Sequence, residues 1–379
     1  MDQSRLIRVL VVDDSLVMRS LLRMVLSTEP SISVVGSASD GESALHAIDQ
    51  LRPDLVLMDI EMPGLDGLST LRRMRALNRK MPVIMCSTLT RRGASVTIEA
   101  LALGASDYVT KPDSASSREE AIRLLAGQLV PKVLALTALL KDSPSRTVPL
   151  ASIPAPVMQI TARQGGFAQP KVVVLGISTG GPAALDKLIP ALPADFPLPV
   201  LLVQHMPQLF TRLLAERLNQ RSKLSVSEAV EGEPVVSGHV YIAPGDHHLE
   251  VIAAQGNRPP VLRITQGPPE NHCRPAVDVL FRTAVNVYGR GVLGVIMTGM
   301  GSDGLLGCQG IRNAGGSVLA QNQESSAVWG MPGSVIKAGF ADRILPLSTM
   351  AAEMLRFVLN RETSGRAEIG AAMPGELAG

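Results

Sequence analysis

The sequence predicts an α/β chain folded as two doubly wound units, an N-terminal five-stranded parallel sheet and a C-terminal, mostly parallel one. Two observations carry this. Short β-branched runs alternate with helical stripes from residue 7 to residue 109, and the alternation resumes at Lys171. Between the two stretches, residues 142–169 are dominated by Ser, Pro, Gly, Gln and Thr without any period, the composition of an exposed linker.

In the first half, strands are expected over residues 7–12, 31–38, 55–58, 83–86 and 108–109. Helices with i, i+3, i+4 apolar stripes fall between them, over 16–26, 41–51, 67–77 and 95–103. Residues 117–140 read as one long helix interrupted at Pro131, because proline has no N–H to continue the ladder. In the second half, strands are expected over 172–177, 200–204, 240–243 and 292–298, and helices over 182–192, 210–219, 275–288 and 303–314. This divides the chain into a first domain over 5–125, a helix and flexible linker over 126–169, a second domain over 170–362 and a tail over 363–379.

Composition narrows the function classes. Apolar residues make up 46% of the 379, enough for two cores, while aromatics are only 3%, so those cores must be aliphatic. Scarce aromatics argue against a base-stacking platform, and a net charge of +2 gives no electrostatic case for nucleic acid or membrane. Cys86, Cys273 and Cys308 form no CxxC pair and no disulfide framework, which fits a reducing cytoplasm. No apolar run approaches the ~20 residues of a membrane span, and residues 7–12 are too short for a signal peptide.

Working residues in parallel sheets sit at the C-terminal ends of strands. The first strand ends in Asp13 and Asp14, the third in Asp59, and the fourth in Ser87 and Thr88; Asp107 and Lys111 flank the fifth. Crowded carboxylates repel one another, and a hard divalent cation relieves that repulsion. A hydroxyl and an ammonium beside them suit a phosphoryl group, so the pocket is expected to bind Mg²⁺ and accept phosphate on an aspartate. The segments VVDDS, LMDIEMPGLDG, ST and YVTKP resemble the response-regulator receiver family over residues 5–125. The resemblance implies Asp59 as phospho-acceptor and Mg²⁺ held by Asp13, Asp14, Asp59 and the Glu61 carbonyl. It also implies Lys111 as phosphoryl partner, Ser87 as the hydroxyl that senses the phosphoryl group, and Tyr108 as switch aromatic.

In the second half, the apolar strand 172–177 runs into Gly176-Ile-Ser-Thr-Gly-Gly-Pro. Pro182 is well placed in a first helical turn, so Ser178 lies in a strand-to-helix turn facing the positive end of a helix. That suits a nucleophile whose product develops an oxyanion; it also suits a bound phosphate, although no GxGxxG or GxxxxGKS is present. A serine nucleophile needs a base and a carboxylate to orient it. Of six histidines, His205 alone ends a predicted strand at the same sheet edge. Asp303 follows the strand 292–298 through Gly299-Met-Gly-Ser-Asp-Gly, with Asp246 and Asp278 as competitors, and a plain helix N-cap is its simplest other role. The order Ser, His, Asp and the missing GxSxG elbow exclude the α/β-hydrolase topology.

LGISTGGP, VQHMP, YIAPGDHH, RPAVDVLF and TGMGSDG are similar to the catalytic domain of CheB-type protein-glutamate methylesterases over residues 170–360, in that family's order after a receiver. The resemblance implies Ser178 as nucleophile, His205 as general base, Asp303 as orienting acid and the Met300 N–H in an oxyanion hole. Where the family has Arg-Pro-Ser, this chain has Arg274-Pro275-Ala276, next to Cys273. The implied substrates are glutamate methyl esters and certain glutamines of methyl-accepting chemoreceptors, and the implied phosphodonor is a histidine kinase. A cytoplasmic monomer, with no nucleic-acid partner, no insertion into the membrane and no cofactor in the catalytic site, completes the expectation. The same chemistry on a non-chemotaxis receptor array, or a receiver joined to a small-ester hydrolase, stays open at this level.

Overall fold

The computed structural model describes residues 5–112, 117–141, 168–256 and 258–359. Of the linker expected through residue 169, residues 142–167 lie outside the described residues, as does the whole expected tail over 363–379.

The first sheet contains β1 (Ile7–Val12), β2 (Ile32–Ala38), β3 (Leu55–Asp59), β4 (Val83–Ser87) and β5 (Asp107–Thr110). They are all parallel, in the order β2-β1-β3-β4-β5. β1, β3 and β4 are almost wholly buried, the pattern of parallel strands covered on both faces. Around them pack α1 (Leu16–Ser27), α2 (Gly41–Leu51), α3 (Gly67–Ala76), α4 (Arg91–Ala102) and α5 (Arg118–Lys141). Ser15, Asp40, Asp66 and Thr90 cap α1 to α4, each side chain accepting from a backbone N–H in the first turn.

α5 corrects the expected interruption at Pro131: the helix runs straight through it. The buried stripe Leu125, Leu129, Val133 and Leu136 holds both halves against the core, outweighing the one lost backbone bond. The carbonyl that Pro131 cannot serve belongs to Gly127, which faces an open cavity. The stretch Arg118–Ala138 is also long and apolar enough by composition to cross a membrane. The expectation that no apolar run approaches that length missed it because its apolar residues are interleaved with Glu119, Glu120, Arg123 and Lys132. Here its stripe is spent on the protein core.

The second sheet has seven parallel strands, ordered β14-β13-β12-β6-β7-β9-β8. They are β6 (Val172–Ile177), β7 (Val200–Gln204), β8 (Ser225–Glu228), β9 (His239–Ile242), β12 (Val292–Ile296), β13 (Ser317–Gln321) and β14 (Arg343–Leu345). A separate antiparallel hairpin pairs β10 (His248–Ile252) with β11 (Val261–Thr265). The helices are α6 (Gly181–Ala191), α7 (Gln208–Arg221), α8 (Val277–Tyr288), α9 (Leu305–Asn313), α10 (Met331–Lys337) and α11 (Leu347–Val358). β6 is the switch point: β7 lies on one side of it and β12 on the other, so the ends of these three strands open a crevice.

The two units share one continuous apolar cluster, which passes from Ile98 and Leu101 on α4 and Tyr108 on β5 to Leu185 on α6 and Phe210 and Leu214 on α7. Tyr108 stacks on Phe210 with ring centroids 4.6 Å apart. Such a pair adds roughly 0.5–1.5 kcal/mol beyond its buried area.

Candidate active site between the two sheets

At the end of β6 the chain turns sharply. The Ser178 N–H donates to the Thr298 carbonyl at 3.0 Å, and the Ser178 carbonyl accepts from Gly181 N–H at 2.7 Å and Gln204 Nε2 at 3.1 Å. The turn needs glycine twice. Gly180 has φ +78°, and a Cβ there would lie 2.5 Å from Ala327 Cβ; a Cβ on Gly299 would lie 2.3 Å from Met331 Sδ and 2.9 Å from Ser178 Cβ. No side chain caps α6: the Gly181 N–H bonds to the Ser178 carbonyl and Pro182 has no N–H, so the turn is closed by its own backbone.

His205 follows β7, with its N–H on the Ile177 carbonyl at 3.3 Å, and Asp303 follows β12. Imidazole Nε2 and Asp303 Oδ2 are 2.8 Å apart. Asp303 is 2% exposed and saturated: Oδ2 also accepts from Val277 N–H at 2.7 Å, and Oδ1 accepts from Asp278 N–H at 3.1 Å and Asn271 Nδ2 at 2.9 Å. The expected N-cap alternative is thus half right in kind, but the helix capped is α8 and not the one Asp303 precedes. Those bonds hold the carboxyl below its usual range against the opposing effect of burial. The competitor Asp278 lies in the first turn of α8 and accepts from Gly307 N–H at 2.6 Å, while Asp246 pairs with Arg274 at the surface.

The other imidazole nitrogen, Nδ1, lies 3.6 Å from Cys273 Sγ. Burial pushes His205 toward the neutral form, but the Asp303 carboxylate and Cys273 more than reverse this, raising its pKa from 6.5 to about 9. Ser178, His205, Cys273 and Met300 all line one cavity of 550 Å³. Among the described residues no hydrogen bond joins the Ser178 hydroxyl to the ring. Cys273 is the partner that sequence reasoning missed. Only its place in an otherwise familiar loop marked it.

The far wall of this cavity belongs to the first unit: Leu101, Asp107, Tyr108, Gln128 and Lys132. Asp107, buried, accepts from Thr179 Oγ1 at 2.7 Å and pairs with Lys132 Nζ at 2.8 Å. Thr179 is the residue after Ser178, so the first unit is tied directly to the serine turn.

At the edge of the first sheet, carboxylate oxygens of Asp13, Asp14 and Asp59 lie within 4.8 Å of one another. Lys111 Nζ reaches Asp59 at 2.7 Å and Asp13 at 2.9 Å. Burial, opposed by Lys111, raises Asp59 to about 6. An all-oxygen donor set of this charge fits a hard cation such as Mg²⁺. The Glu61 side chain points away, toward Arg92 at 3.6 Å. Ser87 Oγ accepts from Thr97 Oγ1 of α4 at 2.8 Å, tying β4 to the helix that packs on the second unit.

The family description "Response regulator receiver domain" matches residues 9–123, and "CheB methylesterase" matches residues 173–354. A protein-glutamate methylesterase/protein-glutamine glutaminase of Trichodesmium erythraeum is 46% identical over 353 residues, covering 92% of this chain and 98% of that protein. One from a Nocardioides species is 48% identical, covering 94% and 97%. The crystal structure of the Thermotoga maritima CheB methylesterase catalytic domain is 44% identical, with a TM-score of 0.49, and covers 50% of this chain and 100% of that one. With identity of this level running through both sheets, the chain belongs to the CheB family, a response-regulator receiver followed by a methylesterase domain.

Proposed function

We propose that the chain hydrolyses γ-methyl esters of glutamate side chains on methyl-accepting chemoreceptors in the cytoplasm, and deamidates certain receptor glutamines, so resetting a chemotactic array. The observation that carries this is that Ser178 and His205, at the ends of adjacent strands, line one cavity, with Asp303 bonded to the His205 ring behind it. The names carried by relatives matching over nearly their whole length support the substrate class.

In this reading Ser178 Oγ attacks the ester carbonyl carbon. With Nε2 committed to Asp303, Nδ1 is the nitrogen left to take the hydroxyl proton, and Asp303 holds the ring in that tautomer. The Met300 N–H, in the glycine loop, faces the developing oxyanion; one such donor is worth about 3–4 kcal/mol. The ring then protonates the leaving methanol, or ammonia from glutamine, and water frees the carboxylate from the acyl-enzyme by the reverse proton path.

The receiver's role is restraint. Asp107, Tyr108 and Lys132 wall the cavity, where a helical receptor could not reach Ser178. A histidine kinase supplies phosphate to Asp59. Asp13, Asp14, Asp59 and the Glu61 carbonyl would hold Mg²⁺, which would supply neutralising charge for that transfer. Lys111 and Ser87 meet the phosphoryl group, and the Ser87–Thr97 link passes the change to α4 while Tyr108 leaves Phe210. Ser178→Ala should abolish methanol release from methylated receptor. A variant with full activity would end this assignment.

A further inference from the structure

We infer that His205 and Cys273 form a site for a soft divalent cation of the zinc class, and that its occupation disarms the esterase. Tetrahedral coordination with Zn–S about 2.3 Å and Zn–N about 2.0–2.1 Å places sulfur and nitrogen roughly 3.6 Å apart, and Cys273 Sγ lies 3.6 Å from His205 Nδ1. The pair is already spaced to share an ion.

The surroundings complete the pattern. Ligating imidazoles characteristically donate their second N–H to a carboxylate, which fixes the tautomer that leaves the ligating nitrogen bare. Asp303, 2.8 Å from Nε2, is placed to do this here once the ring is neutral. Its own oxygens are filled by Val277, Asp278 and Asn271, so it orients the ring rather than entering the coordination sphere. His205, Cys273 and Asp303 together form one of two clusters of potential ligands among the described residues. The remaining coordination positions open into the 550 Å³ cavity, which has room for water or a carboxylate.

Donor chemistry selects the ion. Thiolate with imidazole favours Zn²⁺ over Mg²⁺, whereas the aspartates of the receiver favour the reverse. At neutral pH binding displaces two protons to solvent, one from the Cys273 thiol and one from imidazole Nδ1, and puts metal in their place; no electron is transferred. This inference rests on the reading of His205 as general base, since Nδ1 is the atom that would take the serine proton.

Cadmium reports the site optically, because a cysteine thiolate bound to Cd²⁺ absorbs in the ultraviolet. Titrating the full chain with Cd²⁺ should produce this band with one equivalent, Zn²⁺ should displace it, and methanol release should fall as the band saturates. A chelator should restore both. Cys273→Ser, and Cys273→Ala as a second variant without any donor, should lack the band. Their residual esterase activity, whatever its level, should need at least about tenfold more Cd²⁺ for half inhibition. Cys86 and Cys308 are buried and should contribute nothing. No band in the parent chain, or an undiminished band in both variants, would overturn the site; a saturated band with unchanged methanol release would overturn the disarming. The optical signal is independent of turnover, so it can fail while Ser178→Ala still abolishes activity, and it can succeed if Ser178 proves dispensable.

Discussion

The two sheets begin their helices in opposite ways. In the receiver, Ser15, Asp40, Asp66 and Thr90 each give a side-chain oxygen to the helix that follows. In the methylesterase half none of α6 to α11 is capped by its own N-cap side chain. There α6 and α9 start from Gly180 and Gly304 in left-handed conformation, and α8 is capped from afar by Asp303. A capped start stabilises a helix and uses up its N–H groups. A bare start forgoes roughly 1 kcal/mol, and its first N–H groups turn to other partners: Gly181 to the Ser178 carbonyl, Leu305 to the Ser302 carbonyl and Gly307 to Asp278. The receiver gathers carboxylates beyond its strands, whereas the esterase half builds glycine turns closed by backbone bonds at the same sheet edge.

The contrast breaks most sharply at Asp303, which caps α8 and, in the proposed mechanism, also orients the base. Asp303→Asn should lower kcat for methanol release about 10,000-fold, the scale of a tautomer error in a serine triad. It should also lower Tm, because a carboxylate accepting four hydrogen bonds becomes an amide. A kcat loss with no change in Tm would mean that the capping bonds contribute nothing.

The His205 ring sharpens it next. With a pKa near 9 the base is mostly protonated at neutral pH, so kcat/KM of the unphosphorylated chain should climb toward pH 9 and then level. Cys273 is one of the groups that raise this value, so Cys273→Ala should move the inflection downward. The linkage sign follows: a raised pKa in the folded state stabilises the fold below 6.5, and that contribution is lost as pH rises through 9.

A smaller effect is expected across the interface. Asp107→Ala removes the bond to Thr179, worth about 1 kcal/mol, and should raise basal methanol release by roughly fivefold before any phosphorylation. A fragment beginning at Lys171 should exceed that, since it also lacks the Tyr108–Phe210 stack. The smallest change is Asp40→Ala, which should cost about 1 kcal/mol of stability in urea melts and leave methanol release alone, because α2 is remote from the cavity.

Much of this was legible in the sequence for a physical reason. Strands such as 7–12 and 172–177 are continuous apolar runs, since both of their faces are covered, and the residues that follow them must lie on one edge. Ser178, His205 and Asp303 were therefore expected at one edge, and the structure puts Ser178 and His205 on one cavity and bonds His205 to Asp303. β13 and β14 were not foreseen. β13 begins with Ser317 and ends with fully buried Gln321, whose amide is satisfied by Thr298 N–H and the Ser325 carbonyl, partners a local pattern does not reveal. β14 is only three residues long. The hairpin β10–β11 hid for a similar reason: His248, expected in a loop, is buried because its ring bonds to Pro268 O and Ala276 N–H. Cys273 could not be read as a partner of His205, because 68 residues separate them and only the fold brings them together.

The central claim is that Ser178 is the nucleophile and that the receiver limits access to it. The most direct measurement is the rate and position of labelling of the full chain by a serine-directed fluorophosphonate, before and after phosphorylation of Asp59 with a small phosphodonor and Mg²⁺. The account predicts a single adduct on the peptide carrying Ser178, formed faster once Asp59 is phosphorylated. An adduct elsewhere, or a rate indifferent to phosphorylation, would contradict it.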